Sequence, residues 1–152
     1  MSLGGGGGGQ MEQLQQQIEQ LEETKQAIEA EIEGLQEEKR EIDEAIDAIE
    51  QLESGSTVQV PIGGGAYVRA EVQDMDEVIV DLGADYSAER DKEGATSSLE
   101  TKKEKLDEQI EEFRSEIAEI ETESQELEQQ AEQMQAQQMQ QLQQQQQQQQ
   151  DE

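Results

Sequence analysis

The chain has no cysteine, no histidine and no tryptophan, and only one proline and one phenylalanine in 152 residues. Without cysteine there is no disulfide framework and no thiol chemistry. Without histidine, the carboxylate–histidine metal sites of helical bundles lack a ligand. Aromatic residues make up 2% of the chain and hydrophobic residues 31%, which is little apolar surface for an ordinary globular core. No apolar run is long enough to cross a bilayer and no signal peptide is evident, so a cytoplasmic protein is expected.

Positive charge is equally scarce. Ten Lys and Arg stand against 39 Asp and Glu, a formal net charge of -29. A surface this acidic repels phosphate backbones and anionic lipids, which argues against nucleic-acid and membrane partners. The acidic excess runs through the strand-like middle segment as well as the flanking arms and suggests a very salty cytosol. In molar salt the Debye length is only about 3 Å, so self-repulsion is largely screened. By composition alone such a chain reads as disordered.

The order of the apolar residues reverses that reading. Counting in sevens from Met11, the a positions are Met11, Ile18, Lys25, Ile32, Lys39 and Ile46. The d positions are Leu14, Leu21, Ile28, Leu35, Ile42 and Ile49, all aliphatic. A coiled coil needs only such a narrow seam. Lys25 and Lys39 can lay their stems along it while their ammonium groups reach neighbouring carboxylates. A second arm repeats the pattern. Its d positions are Leu99, Leu106, Phe113, Ile120, Leu127 and Met134, and its a positions are Lys103, Ile110, Ile117, Ser124 and Ala131. Beyond Met134 the register fails, because Met139 and Leu142 are displaced by one residue.

Between the arms lies the only stretch with strand-like alternation. Val58, Val60 and Ile62 share one face, and Pro61, which cannot donate a ladder hydrogen bond, is expected at an edge or near the strand's end. Gly63, Gly64 and Gly65 supply a tight turn. Ala66 to Val72 forms a second strand, Val78, Val80 and Leu82 a third, and Asp85 to Glu89 a fourth after a Gly83-Ala84 turn. The result is two successive β-hairpins. The expected class is mainly α with a small β part: a long antiparallel coiled-coil hairpin with two β-hairpins between its helices. The expected segments are a flexible Gly-rich tail over 1–10, helix 1 over 11–54, hairpins over 55–90, helix 2 over 91–142 and a Gln-rich tail over 143–152. A capping-box pattern at Ser97 and Glu100 secures helix 2 from there, with an earlier start near Asp91 also open.

Catalytic and ligand-binding motifs are missing. Gly4 to Gly9 is followed by no Lys-Ser/Thr and preceded by no strand, so it is no phosphate cradle. Asp74, Asp76 and Asp81 suggest a cation loop, but Ile79 stands where an EF-hand requires glycine. No enzyme activity, no metal and no cofactor are expected.

Matched arms around Val60-Pro61-Ile62-Gly63-Gly64-Gly65 and Val80-Asp81-Leu82-Gly83-Ala84-Asp85-Tyr86-Ser87-Ala88-Glu89 resemble the prefoldin family, and within it the archaeal alpha-type subunits. Those subunits carry two β-hairpins where the beta type has one. The resemblance covers residues 11 to about 142. It implies an ATP-independent chaperone: an alpha2-beta4 hexamer whose hairpins join in a β-barrel platform and whose arm tips hold unfolded proteins for transfer to a group II chaperonin. Leu3, Met11 and Leu14 at the start of arm one, and Met134, Met139 and Leu142 at the end of arm two, are then the candidate client-binding residues. Methionine suits unlike client sequences because it is flexible and polarizable. Met11, Leu14 and Met134 are equally suited to packing within the seam. Val58, Val60, Ile62, Val68, Val78, Val80 and Tyr86 are the candidate oligomerisation residues, because a segment this small cannot hide both faces by itself. The rival readings are a passive scaffold binding one folded partner, and an enzyme or cation-binding module.

Overall fold

The computed structural model describes residues 5–150, with side chains from residue 8. Its elements are α1 (Gly5–Gln51), β1 (Thr57–Gly63), β2 (Ala66–Glu71), β3 (Val78–Gly83), β4 (Tyr86–Arg90) and α2 (Lys92–Gln150). Two long helices thus flank two antiparallel hairpins, as the heptads and glycine turns predict. The chain divides into two compact units. One, the arm-end unit, holds α1 as far as Ile32 and α2 from Glu111. The other, the hairpin unit, spans Glu33–Ile110.

Within each unit the helices meet along the seam that the sevenfold spacing marks. Every a and d position named above is buried or half-buried, while the outer faces are largely exposed. Ile28 and Ile32 are buried in the arm-end unit, Ile42 and Ile110 in the hairpin unit. The seam lysines behave as their long stems allow. Lys25 Nζ stands 3.2 Å from Glu121 Oε1 in the arm-end unit. In the hairpin unit Lys103 Nζ donates to Asp43 Oδ1 at 2.6 Å, and Lys39 pairs with Asp107. From Lys39 to Asp43 the numbering rises four, and from Asp107 to Lys103 it falls four, which is the signature of antiparallel pairing.

The helix ends differ from the heptad bounds. α1 begins at Gly5, inside the glycine run assigned to a tail. A Cβ at Gly8 or Gly9 would meet nothing within 4 Å, so no packing contact explains the helical glycines. α1 ends at Gln51 rather than Ser54. Ser56 competes there with the helical pattern: its N–H donates to Glu53 O at 3.0 Å and its Oγ accepts from Glu53 N at 3.2 Å. Gly55 serves the turn that follows, with φ +89. α2 starts at Lys92 because Asp91 caps it. Asp91 Oδ1 accepts from Gly94 N at 2.7 Å, and Asp91 O accepts from Ala95 N at 2.8 Å. A Cβ at Gly94 would lie 2.8 Å from Asp91 Oδ1, so a larger residue there would make the capping carboxylate shift. Ser97 is an interior helical residue, not the cap. At its far end α2 runs on to Gln150, past Leu142, through glutamines of good helix propensity.

The hairpins are two separate two-stranded sheets with the same plan. Val60 faces Val68 and Val80 faces Ala88; each hairpin has one register shift, at Pro61/Gly63 and at Asp81/Gly83. Each closes on two residues with positive φ, Gly64-Gly65 and Ala84-Asp85, which matches the right-handed twist of the strands. Asp85 therefore belongs to the turn and Tyr86 opens β4. The junction after α1 is tied to the link between the hairpins. Gly55 N donates to Val72 O at 2.7 Å, Val72 N to Ser56 O at 2.8 Å, and Met75 N to Ser54 Oγ at 3.0 Å. Met75, Val80 and Ala95 are buried in this unit.

Candidate functional sites at the hairpins and the arm ends

In the hairpin unit, equivalent positions have opposite fates. Val80 is 4% exposed, whereas its counterpart Val60 is 44% exposed. Val80 is therefore local core of the hairpin unit, and of the candidate oligomerisation residues it is the one the chain itself buries. Val58 and Val78 are half-buried. Val60, Ile62, Val68 and Tyr86 are exposed, Tyr86 at 72%. Tyr67, Ile79 and Leu82 are exposed as well; Tyr67 and Ile79 lie off the face that a period-two reading follows, and Leu82 lies on it, at the register shift between Asp81 and Gly83. The unbroken run Val78-Ile79-Val80 carried the signal, because a strand apolar on both faces is one to be covered on both.

Arg69 and Glu71 are the only charges between Glu53 and Asp74, so the first hairpin is neutral in a chain of net charge -29. Another acidic chain can approach it without strong repulsion. The aspartates of this region serve backbone geometry. Asp74 Oδ1 accepts from Asp76 N at 2.9 Å, and Asp81 Oδ1 accepts from Gly83 N at 2.9 Å. Among the described residues no group of three or more acidic or other ligand side chains gathers as a metal site.

In the arm-end unit, Met11, Leu14 and Met134 are half-buried at their seam positions. Met139 and Leu142 are 67% and 59% exposed. They lie on one face of α2, three residues apart. Leu3 lies outside the described residues. From Gln133 to Gln150 no residue is charged, a signal in the sequence that heptad counting passes over. Glu121 beside Lys25, through a hydrogen bond first and its charge second, raises that ammonium above the ordinary lysine range. Asp43 raises Lys103 chiefly through its hydrogen bond. Both lysines are thus firmly cationic at neutral pH.

Antiparallel helical arms joined through two hairpins with uncovered apolar faces define a coiled-coil subunit bearing β-hairpins. No helix among the described residues is long and apolar enough to cross a membrane. A family model described as prefoldin subunit matches residues 21–152, and the chain belongs to the prefoldin family. It is 62% identical over 114 residues to prefoldin subunit alpha of Haloarcula marismortui, covering 75% of this chain and 74% of that one. It is 53% identical over 112 residues to the alpha subunit of Halobacterium salinarum, covering 74% and 73% of the two chains. Both are halophilic archaea, in keeping with the acidity. Among solved structures, a chain of filamentous PFD from Methanocaldococcus jannaschii superposes with TM-score 0.52 at 29% identity, covering 76% of this chain and 93% of that one.

Proposed function

We propose that this chain is the alpha-type subunit of a cytoplasmic prefoldin that holds unfolded or nascent proteins at its arm ends without ATP and passes them to a group II chaperonin. One observation carries the reading. All the exposed large hydrophobic residues among those described lie in the hairpins or near the end of α2. Within each unit the seam positions are buried or half-buried. Apolar surface left uncovered at such places marks contacts with other chains.

The two places support two roles. The hairpins have strand edges that pair with other strands, which suits assembly with beta-type subunits into an alpha2-beta4 hexamer. Met139 and Leu142 form a small apolar patch on an uncharged helix, which suits weak contacts with many client sequences. Several arms acting on one client supply avidity. Suppression of aggregation of two unrelated denatured proteins, measured in molar KCl with the assembled complex, tests the role. A complex that suppresses neither refutes it, and a scaffold for one folded partner then takes its place. Truncation after Ala131 is expected to retain assembly and lose client holding.

The likeness to a chain from a filament favours a second mode of assembly, in which copies of this chain join through their own hairpins. Native mass of the chain alone, against its mass with a beta-type subunit, separates the two.

A further inference from the structure

The apolar seam does not by itself distinguish one alignment of the arms from another. Aliphatic residues recur every seven positions, so sliding one arm by a heptad rebuilds nearly the same seam. The charged residues on it do not repeat in this way. Lys25 meets Glu121 in the arm-end unit, and Lys39 meets Asp107 in the hairpin unit. The two lysines are fourteen residues apart, as are the two acceptors. Midway between the acceptors, at the equivalent heptad position, stands Arg114. It is the only basic residue after Lys105, and it is exposed with no acidic partner within 4 Å among the described residues.

A one-heptad slide in one direction places Arg114 opposite Lys25, and Lys103 opposite the uncharged Gln36. The slide in the other direction places Arg114 opposite Lys39. Either misalignment sets like charges against each other on the seam. We infer that Arg114, with the seam lysines Lys25, Lys39 and Lys103, is a positioning residue that fixes the alignment of the arms and so the place of the Met139–Leu142 patch relative to α1. Contact ion pairs of 2.6 and 3.2 Å fall within about one Debye length in molar salt. The code therefore works in salt that screens the longer-range acidic repulsion. Parallel pairing of α1 with α1 of a second copy is disfavoured by the same residues, because Lys25 and Lys39 would each meet their own kind.

Arg114→Glu tests this. In the second slide the variant pairs all three seam lysines: Lys25 with Glu128, Lys39 with the new carboxylate and Lys103 with Glu50. Nitroxide labels are placed on cysteines introduced at exposed Gln26 and Gln133 of the full chain, which has no other cysteine. Their separation is read by pulsed electron resonance in molar KCl. The parent chain is expected to show one distance. Arg114→Glu is expected to add a population in which the labels are about 10 Å closer along the axis, seven residues at 1.5 Å each. Lys105→Glu makes the same charge change on the outer face and is expected to leave the distance unchanged. A single parental distance in Arg114→Glu overturns the inference, and so does an equal shift in both variants. Failure to hold clients leaves this readout untouched, so the two proposals stand or fall apart.

Discussion

The sharpest consequence of the exposed pair at the end of α2 is a separation of binding from stability. Met139→Gln with Leu142→Gln keeps side chains of similar length and a helix propensity near that of the neighbouring glutamines. Both parent residues are exposed, at 67% and 59%, so stability is expected to change by less than about 0.5 kcal/mol. Client binding is another matter. Full burial of a Met or Leu side chain contributes roughly 1.5–3 kcal/mol. About three-fifths of each is still available for a client to cover, so about 1–2 kcal/mol per residue is at stake. Together that is about 2–4 kcal/mol at one arm, an upper bound because ordering the side chains opposes it. Since 1.4 kcal/mol is tenfold, that range corresponds to about 30- to 700-fold, and with the ordering cost the affinity of an arm is expected to fall at least tenfold. Fluorescence anisotropy of a labelled, permanently unfolded client, read against the assembled complex, gives the ratio. An unchanged affinity in a variant with parental helicity and native mass would refute the role given to this patch.

Other perturbations probe the frame. Ile110→Ala, at a seam position only 4% exposed, is expected to lower unfolding free energy by about 2–5 kcal/mol in a denaturant titration. Ala84→Gly relieves a left-handed residue at φ 51 and is expected to raise stability by about 0.5–1 kcal/mol, seen as a higher melting temperature. The raised lysines set an alkaline limit. Since their folded pKa lies above the unfolded value, the stabilisation is fully present below about pH 10 and is lost as pH rises through the raised value. Lys25→Met, which keeps the stem and removes the charge, is expected to flatten that alkaline loss in a melting series. Dialysis of the complex into dilute buffer is expected to weaken assembly, because the net charge of -29 is then unscreened; native mass in the two buffers reads it.

The seam was legible because a 3.5-residue spacing needs no tertiary context, and all positions it marks are covered. The first hairpin turn was legible from three glycines. The second was misplaced by one residue, because Ala84 and Asp85 adopt positive φ without a glycine to announce it. The start of α2 was blurred by a Ser97 pattern. The working cap is Asp91, whose carboxylate accepts from Gly94 N three residues on, a pairing that heptad counting does not reveal. Val80 and Val60 show the deeper limit. They hold equivalent places in the period and register of their hairpins, and the fold of the hairpin unit buries one and leaves the other open.

The two hairpins share a register plan and a turn geometry, yet belong to separate sheets. In the terms of polymer chemistry, a chain that assembled through both hairpins would be a difunctional monomer. Mixed with single-hairpin partners on the proposed assembly, it would propagate and they would terminate. The size of the product then follows from the ratio in which the two are supplied, and a cell short of terminators would accumulate longer species from the same unaltered chain.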